Sequence, residues 1–214
     1  MYSFFSKNKK TGSSSDKSLV DIPINDKKSS KNNKNDWSII EFVKFSLITL
    51  IVVIPIRMYV AQPFIVNGSS MAPTFATGEY LIVDQLTYHL SEPKRGDVIV
   101  FRFPQDTSKF FIKRIVGLPN EKVTISGEEV IVTTTDGEEI ILDEPYIEFG
   151  KTSYSETTLS KHDFFVMGDN REASLDSRIW GPLGEEYIIG RAYVRLLPFD
   201  KIDVLPGSFI FNNQ

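Results

Sequence analysis

Between Lys44 and Arg57 the chain reads FSLITLIVVIPI without a single charge, and the pattern of apolar and polar positions differs on its two sides. Upstream, residues 1–36 are dominated by Lys, Ser, Asn and Asp. They hold too few apolar side chains to offset the entropy of ordering them, which predicts a disordered basic tail. Apolar density rises at Trp37. Ile39 to Val60 supplies the roughly 20 residues needed to cross a bilayer if Glu41 and Lys44 sit at one interface and Arg57 snorkels toward the other. A soluble core helix would keep a polar face, which Ile48 to Ile56 lacks. A cleavable signal peptide would begin after a short basic segment, whereas here roughly 40 residues precede the apolar core. The expectation is an uncleaved anchor over 37–62, with Trp37 and Tyr59 as interfacial aromatics and Pro55 kinking its outer end. Lysines on the N-terminal side place the tail in the cytoplasm and everything after about Val60 on the extracytoplasmic face.

From Phe64 the pattern changes to short alternating or β-branched runs. Strands are predicted at Tyr80–Asp84, Asp97–Phe103, Lys109–Val116, Lys122–Ile125, Glu129–Thr134, Ile140–Leu142, Phe164–Met167 and Ile188–Leu196. Turn formers separate them, among them Thr77-Gly78, Lys94-Arg95-Gly96, Ser126-Gly127 and Asp136-Gly137. Gln85–Leu90 reads as a short helical turn. With no helices alternating between strands and no repeat of fixed period, the fold class is mainly β and antiparallel, in residues 63–214.

Length and composition narrow the functions. A chain of 214 residues holds one good-sized domain plus an appendage. The net charge of −4 conceals +4 over residues 1–36 and −8 over the remainder, so nucleic-acid binding by the folded part is disfavoured, while the tail could bind anionic lipid headgroups weakly. Cysteine is absent, which removes thiol catalysis, disulfides and thiolate metal sites.

Three clusters could carry chemistry. The first, NGSSMAPT at 67–74, places Ser69 and Ser70 after a Gly turn; its composition suits a plain loop as well as a reactive serine. A serine hydroxyl needs a base. His89 and His162 are the only histidines, each reads more simply as a surface or strand-end residue, and no metal-ligand spacing occurs. The second cluster, KFFIKRIVGLP, contains Lys113, which period-two alternation puts on one face with Phe111 and Ile115, opposite Phe110, Ile112 and Arg114. A lysine among apolar neighbours is desolvated and its pKa falls toward the range of a general base. A lysine guarding an exposed strand edge fits the same periodicity. The third cluster, GDNREASLDSRIWG at 168–181, offers an Asp176–Arg178 ion pair and a Ser174 hydroxyl able to orient an amine; a solvated loop is the other reading.

Together with RGDVIVF at 95–101, these boxes resemble, in order, those of the type I signal peptidases, membrane-anchored serine proteases with a Ser/Lys dyad. The resemblance runs from about Trp37 to the last strand and is closest to the Gram-positive form with one N-terminal anchor. It implies an antiparallel β-sheet catalytic domain with a small inserted β subdomain at 121–165, preceded by one transmembrane helix. It further implies that Ser70, immediately before Met71, is the nucleophile and Lys113, immediately before Arg114, the general base. Ser174 would orient the lysine, Asp176 and Arg178 would form a structural ion pair, and the Ser70 N–H would hold the oxyanion. Where some members carry a second oxyanion donor, a serine two positions upstream of the nucleophile, this chain has Gly68. Positions matching the substrate pocket are Phe64, Val66, Met71, Phe75, Phe111 and Ile112. The implied reaction is cleavage of signal peptides from exported preproteins after Ala-X-Ala, with neither cofactor nor metal. Signal peptides, membrane lipid and the secretion translocon are the expected partners.

Two other functions compete. A signal-peptidase-like accessory protein for secretion or pilus assembly would bind without cutting and tends to lack the serine or the lysine. A self-cleaving repressor protease would need a DNA-binding module and no anchor.

Overall fold

The computed structural model describes residues 39–55, 61–148 and 150–211. The expected basic tail, Trp37 and Tyr59 lie outside them. Helix α1 (Ile39–Pro55) has 17 residues and ends at its proline. Its large apolar side chains from Ile39 to Ile54 are all exposed. Among the described residues, no helix is long and apolar enough to cross a membrane.

The strands are β1 (Ala61–Ile65), β2 (Tyr80–Asp84), β3 (Val98–Phe103), β4 (Asp106–Gly117), β5 (Lys122–Gly127), β6 (Glu129–Thr133), β7 (Glu139–Ile141), β8 (Ser153–Thr158), β9 (Asp163–Met167), β10 (Leu183–Gly184), β11 (Ile188–Leu197) and β12 (Asp203–Val204). Two short α-helices, α2 (Thr87–Leu90) and α3 (Ser177–Trp180), and 3-10 turns at Glu185–Tyr187 and Phe199–Lys201 lie between them. All pairings are antiparallel. One sheet runs β1-β2-β11-β3-β4-β9-β10 with β12 added to β11; a second, four-stranded sheet runs β7-β6-β5-β8. The second sheet is inserted between β4 and β9, which pair directly with each other.

Burial follows sequence closely in β3, where VIVFRF leaves only Arg102 exposed, as a strand covered on both faces requires. Phe101 is fully buried there, a placement worth about 2–3 kcal/mol. The second sheet contributes Val123, Ile125, Val130, Val132 and Ile140 to a core shared with Val116, Phe165, Met167 and Phe211, so the two sheets have one hydrophobic contact region.

Strand β1 begins inside the stretch assigned by sequence to the anchor: Ala61 and Gln62 pair with Asp84 and Val83. Pro63 is accommodated within it because β1 is a sheet edge, where a missing N–H is tolerated in the ladder. Strand β4 has two halves. Its residues 107–110 are exposed while 113–117 are buried, so the first half projects from the sheet as a wall and the second half lies in the core.

Candidate active site

Ser70 follows β1 in a turn packed by Met71 and Phe75, which lie with Val66, Leu81, Val98 and Ala192 in a buried cluster. The turn is entered through Gly68, whose φ of +100° is the left-handed region that favours glycine. Thr77 Oγ1 accepts from the Gly68 N–H at 3.1 Å and donates to the Gly68 carbonyl at 3.0 Å, clipping the turn from outside. Among the described residues, neither the Ser69 nor the Ser70 N–H has an acceptor in the protein.

Lys113 enters from the buried half of β4. Its ammonium nitrogen is 2.6 Å from Ser70 Oγ and 2.8 Å from the Ile112 carbonyl oxygen. The side chain is 3% exposed and its Nζ lies 5.4 Å from the Phe111 ring centre, which excludes the exposed-edge reading. Burial pulls its pKa from 10.5 down to about 8; the charges of Asp176 and Asp169 oppose the fall and Arg178 reinforces it.

The loop after β9 closes the far side. The Asn170 N–H donates to the Ser70 carbonyl at 3.1 Å. Gly168 packs so closely that a Cβ there would collide with the Ser70 carbonyl and the Ser174 hydroxyl. Asp176 caps α3 and accepts from Arg178 Nε and Nη2, each at 2.8 Å, and from the Gly168 N–H at 3.0 Å. Burial alone would raise the Asp176 carboxyl. The Arg178 hydrogen bonds and charge, helped by Ser174 and Gly168, hold it below its ordinary value. Ser174 Oγ is buried and makes no hydrogen bond of ordinary geometry, so its contribution is to Asp176 and it does not bond Lys113 directly.

Behind the Ser70–Lys113 contact lies an ion pair absent from the sequence reading. Arg114 donates to Asp169 through Nε at 2.8 Å and Nη2 at 2.6 Å, both side chains being 1% exposed. Thr74 of the serine turn donates to the same carboxylate at 2.5 Å, and Arg114 also donates to the carbonyls of Gly96 and Gly207. The sequence shows an arginine within an apolar strand and an aspartate just after another, but nothing local pairs residues 55 positions apart.

A cleft of about 390 Å³ opens beside Ser70 and Lys113, lined by Phe64, Val66, Leu81, Val100, Phe110 and Ile112 among others. Gly68, Phe111, Ala173 and Leu175 also face it. Of the residues matched to a pocket by sequence, Phe64, Val66, Phe111 and Ile112 line this cleft. Met71 and Phe75 do not; they are core, and they support the turn from beneath. Phe64 and Phe110 meet edge-to-face at 5.4 Å, joining β1 to the projecting wall of β4. His162 pairs at the surface with Glu185 and His89 is exposed on α2; neither lines the cleft. No group of His, Cys, Asp and Glu able to hold a metal occurs among the described residues.

The sequence model of the family described as "Signal peptidase, peptidase S26" matches residues 39–197. Similar proteins include a "Probable signal peptidase I-2" of Synechocystis, 36% identical over 186 residues, covering 84% of this chain and 82% of that protein. A "Signal peptidase I" of Leptolyngbya laminosa is 33% identical, covering 82% of this chain and 89% of its own. "Signal peptidase I T" of Bacillus subtilis is 31% identical, covering 83% and 94%. The family match spans the serine turn, the Lys113 strand and the Asp176 loop, and the chain belongs to the signal peptidase family, peptidase S26.

Proposed function

We propose that this serine peptidase removes signal peptides from exported preproteins, with Ser70 as nucleophile and Lys113 as general base. The observation that carries the reading is the 2.6 Å contact between Lys113 Nζ and Ser70 Oγ, made by a buried amine whose pKa lies near 8. In its neutral form Lys113 takes the Ser70 proton as Oγ attacks the scissile carbonyl. The resulting oxyanion is held by the Ser70 N–H; with the Gly68 N–H occupied by Thr77, the Ser69 N–H is the backbone group available beside it. Protonated Lys113 then gives its proton to the leaving amine, and water attacks the acyl-enzyme through the same base.

The apolar cleft suits an extended segment with small side chains. Strand β1 is unpaired on its outer edge, and the exposed half of β4 pairs only with β3, so main-chain hydrogen bonds are open to a peptide laid between them. Cleavage after Ala-X-Ala is the specificity proposed for this cleft, with the small side chains seated against its apolar lining, Phe64 and Ile112 included. The apolar surface all round α1 supports a single-pass anchor built on Ile39–Val60, with the N-terminus cytoplasmic and the β domain extracytoplasmic. Lipid and the secretion translocon are then the neighbours of the site.

Mass spectrometry of a model preprotein incubated with detergent-solubilised protein tests the reading. Cleavage after the Ala-X-Ala site, lost in Ser70→Ala, is expected. An intact preprotein with the wild-type chain would favour the accessory-protein function instead.

A further inference from the structure

We infer that Glu144, in the connection between β7 and β8 of the inserted sheet, is a positioning residue that clamps the 168–178 loop behind the dyad; this rests on the peptidase reading above. The second sheet carries no group that reaches Ser70 or Lys113, yet the stretch after β7 sends two side chains inward. Glu144 Oε1 accepts from Arg171 Nη2 at 2.5 Å and from the Tyr146 hydroxyl at 2.7 Å. The Glu144 and Arg171 side chains are 7% and 4% exposed. Burial, followed by the Glu144 charge, raises the Tyr146 hydroxyl above its ordinary range, so it stays protonated and serves as a donor.

Both partners lead to the site. Arg171 Nε donates to the Gly168 carbonyl at 3.1 Å, and the Arg171 carbonyl accepts from Arg178 Nη2 at 2.8 Å, so this residue holds both ends of the loop that contains Ser174. Arg178 in turn holds Asp176, whose charge acts on Lys113. The Tyr146 ring lies 3.8 Å from the Arg114 guanidinium, which holds Asp169. Glu144 therefore ties together the two arginine arms that fix Gly168, Asp169 and Asp176. A buried, multiply bonded carboxylate at this place costs more to bury than a surface one gains, and orientation of the loop is the return.

The test compares Glu144→Ala and Glu144→Gln in the full chain, with Glu129→Gln on the exposed face of the inserted sheet as a control. Glu144→Ala is expected to lower kcat about tenfold, the equivalent of one lost positioning bond, at unchanged KM. It should also speed amide hydrogen exchange over residues 168–178. Glu144→Gln keeps an acceptor oxygen for Arg171 and Tyr146 and is expected to recover most of both. The inference is overturned by an unchanged kcat and exchange rate in Glu144→Ala, by a loss that follows the folded fraction on melting, or by a Gln variant as impaired as the Ala one. Because hydrogen exchange needs no substrate, failure of the wild-type chain to cleave a preprotein counts against the peptidase reading and is distinguishable from failure of the clamp.

Discussion

Lys113 Nζ donates to Ser70 Oγ at 2.6 Å, and its other hydrogen bond goes to the carbonyl of its own neighbour, Ile112. Among the described residues no carboxylate pairs with the amine, so packing and two neutral partners hold it and leave it free to change charge. Lys113→Met should abolish preprotein cleavage while raising the melting temperature, because an apolar chain of similar length fills the same buried space. Cleavage at a wild-type rate by the Met variant would remove Lys113 from the chemistry.

The pH dependence has a definite sign. On the proposed mechanism Lys113 acts only when neutral, so kcat/KM should rise with pH through about 8 and level off above it. Stability follows by linkage. The unfolded lysine keeps its proton to about 10.5 and the folded one releases it near 8, so the unfolded state binds more protons between these values and stability rises with pH there. The full gain is about 3 kcal/mol. Urea unfolding of wild type and Lys113→Met at several pH values isolates it: the difference between the two should narrow as pH rises from 8 toward 10.5.

Asp169→Asn leaves the Arg114 guanidinium buried without its charge partner. Breaking such a pair costs about 3–5 kcal/mol, and denaturant titration should show it. The loss should exceed that from an exposed pair such as Lys109–Asp106, where Asp106→Asn is expected to change little.

Gly168→Ala introduces a methyl group against the Ser70 carbonyl and Ser174. One of these contacts is the Ser70 backbone itself, so the turn has to shift. Loss of activity greater than the loss of stability is expected, measured as kcat/KM beside the melting temperature.

Thr77→Val removes both hydrogen bonds on Gly68 while keeping the shape of the side chain. A drop of about tenfold in kcat/KM is expected, equivalent to about 1.4 kcal/mol, and Thr77→Ser should restore it. Equal activity of the Val and Ser variants would show that the turn holds itself.

Much of the β framework is legible in the sequence because alternation and turn residues coincide, as in Lys122–Gly127 and Glu129–Thr133. Strand β8 escapes notice because SYSETT has no aliphatic residue; it is an edge strand that needs little burial. Strand β1 is hidden by its proline and by the apolar run before it. At the site, the dyad contact joins residues 43 positions apart, and local pattern could only leave Lys113 either buried or exposed. Ordered similarity of the boxes points to the pair; burial in three dimensions decides its environment. Glu144 and the Arg114–Asp169 pair are invisible for the opposite reason: each is an ordinary charge until folding puts it beside its partner.

Strand β4 gives adjacent positions opposite duties, Lys113 toward Ser70 and Arg114 toward Asp169, in register with Ile99 and Val98 of β3. A slip by one residue would exchange the two side chains between faces, stranding an obligate cation where a neutral amine belongs and a lysine where a bidentate fork is needed. Mispaired sheets are thereby penalised twice, and the register that seats Arg114 on Asp169 is the same one that brings Lys113 to Ser70.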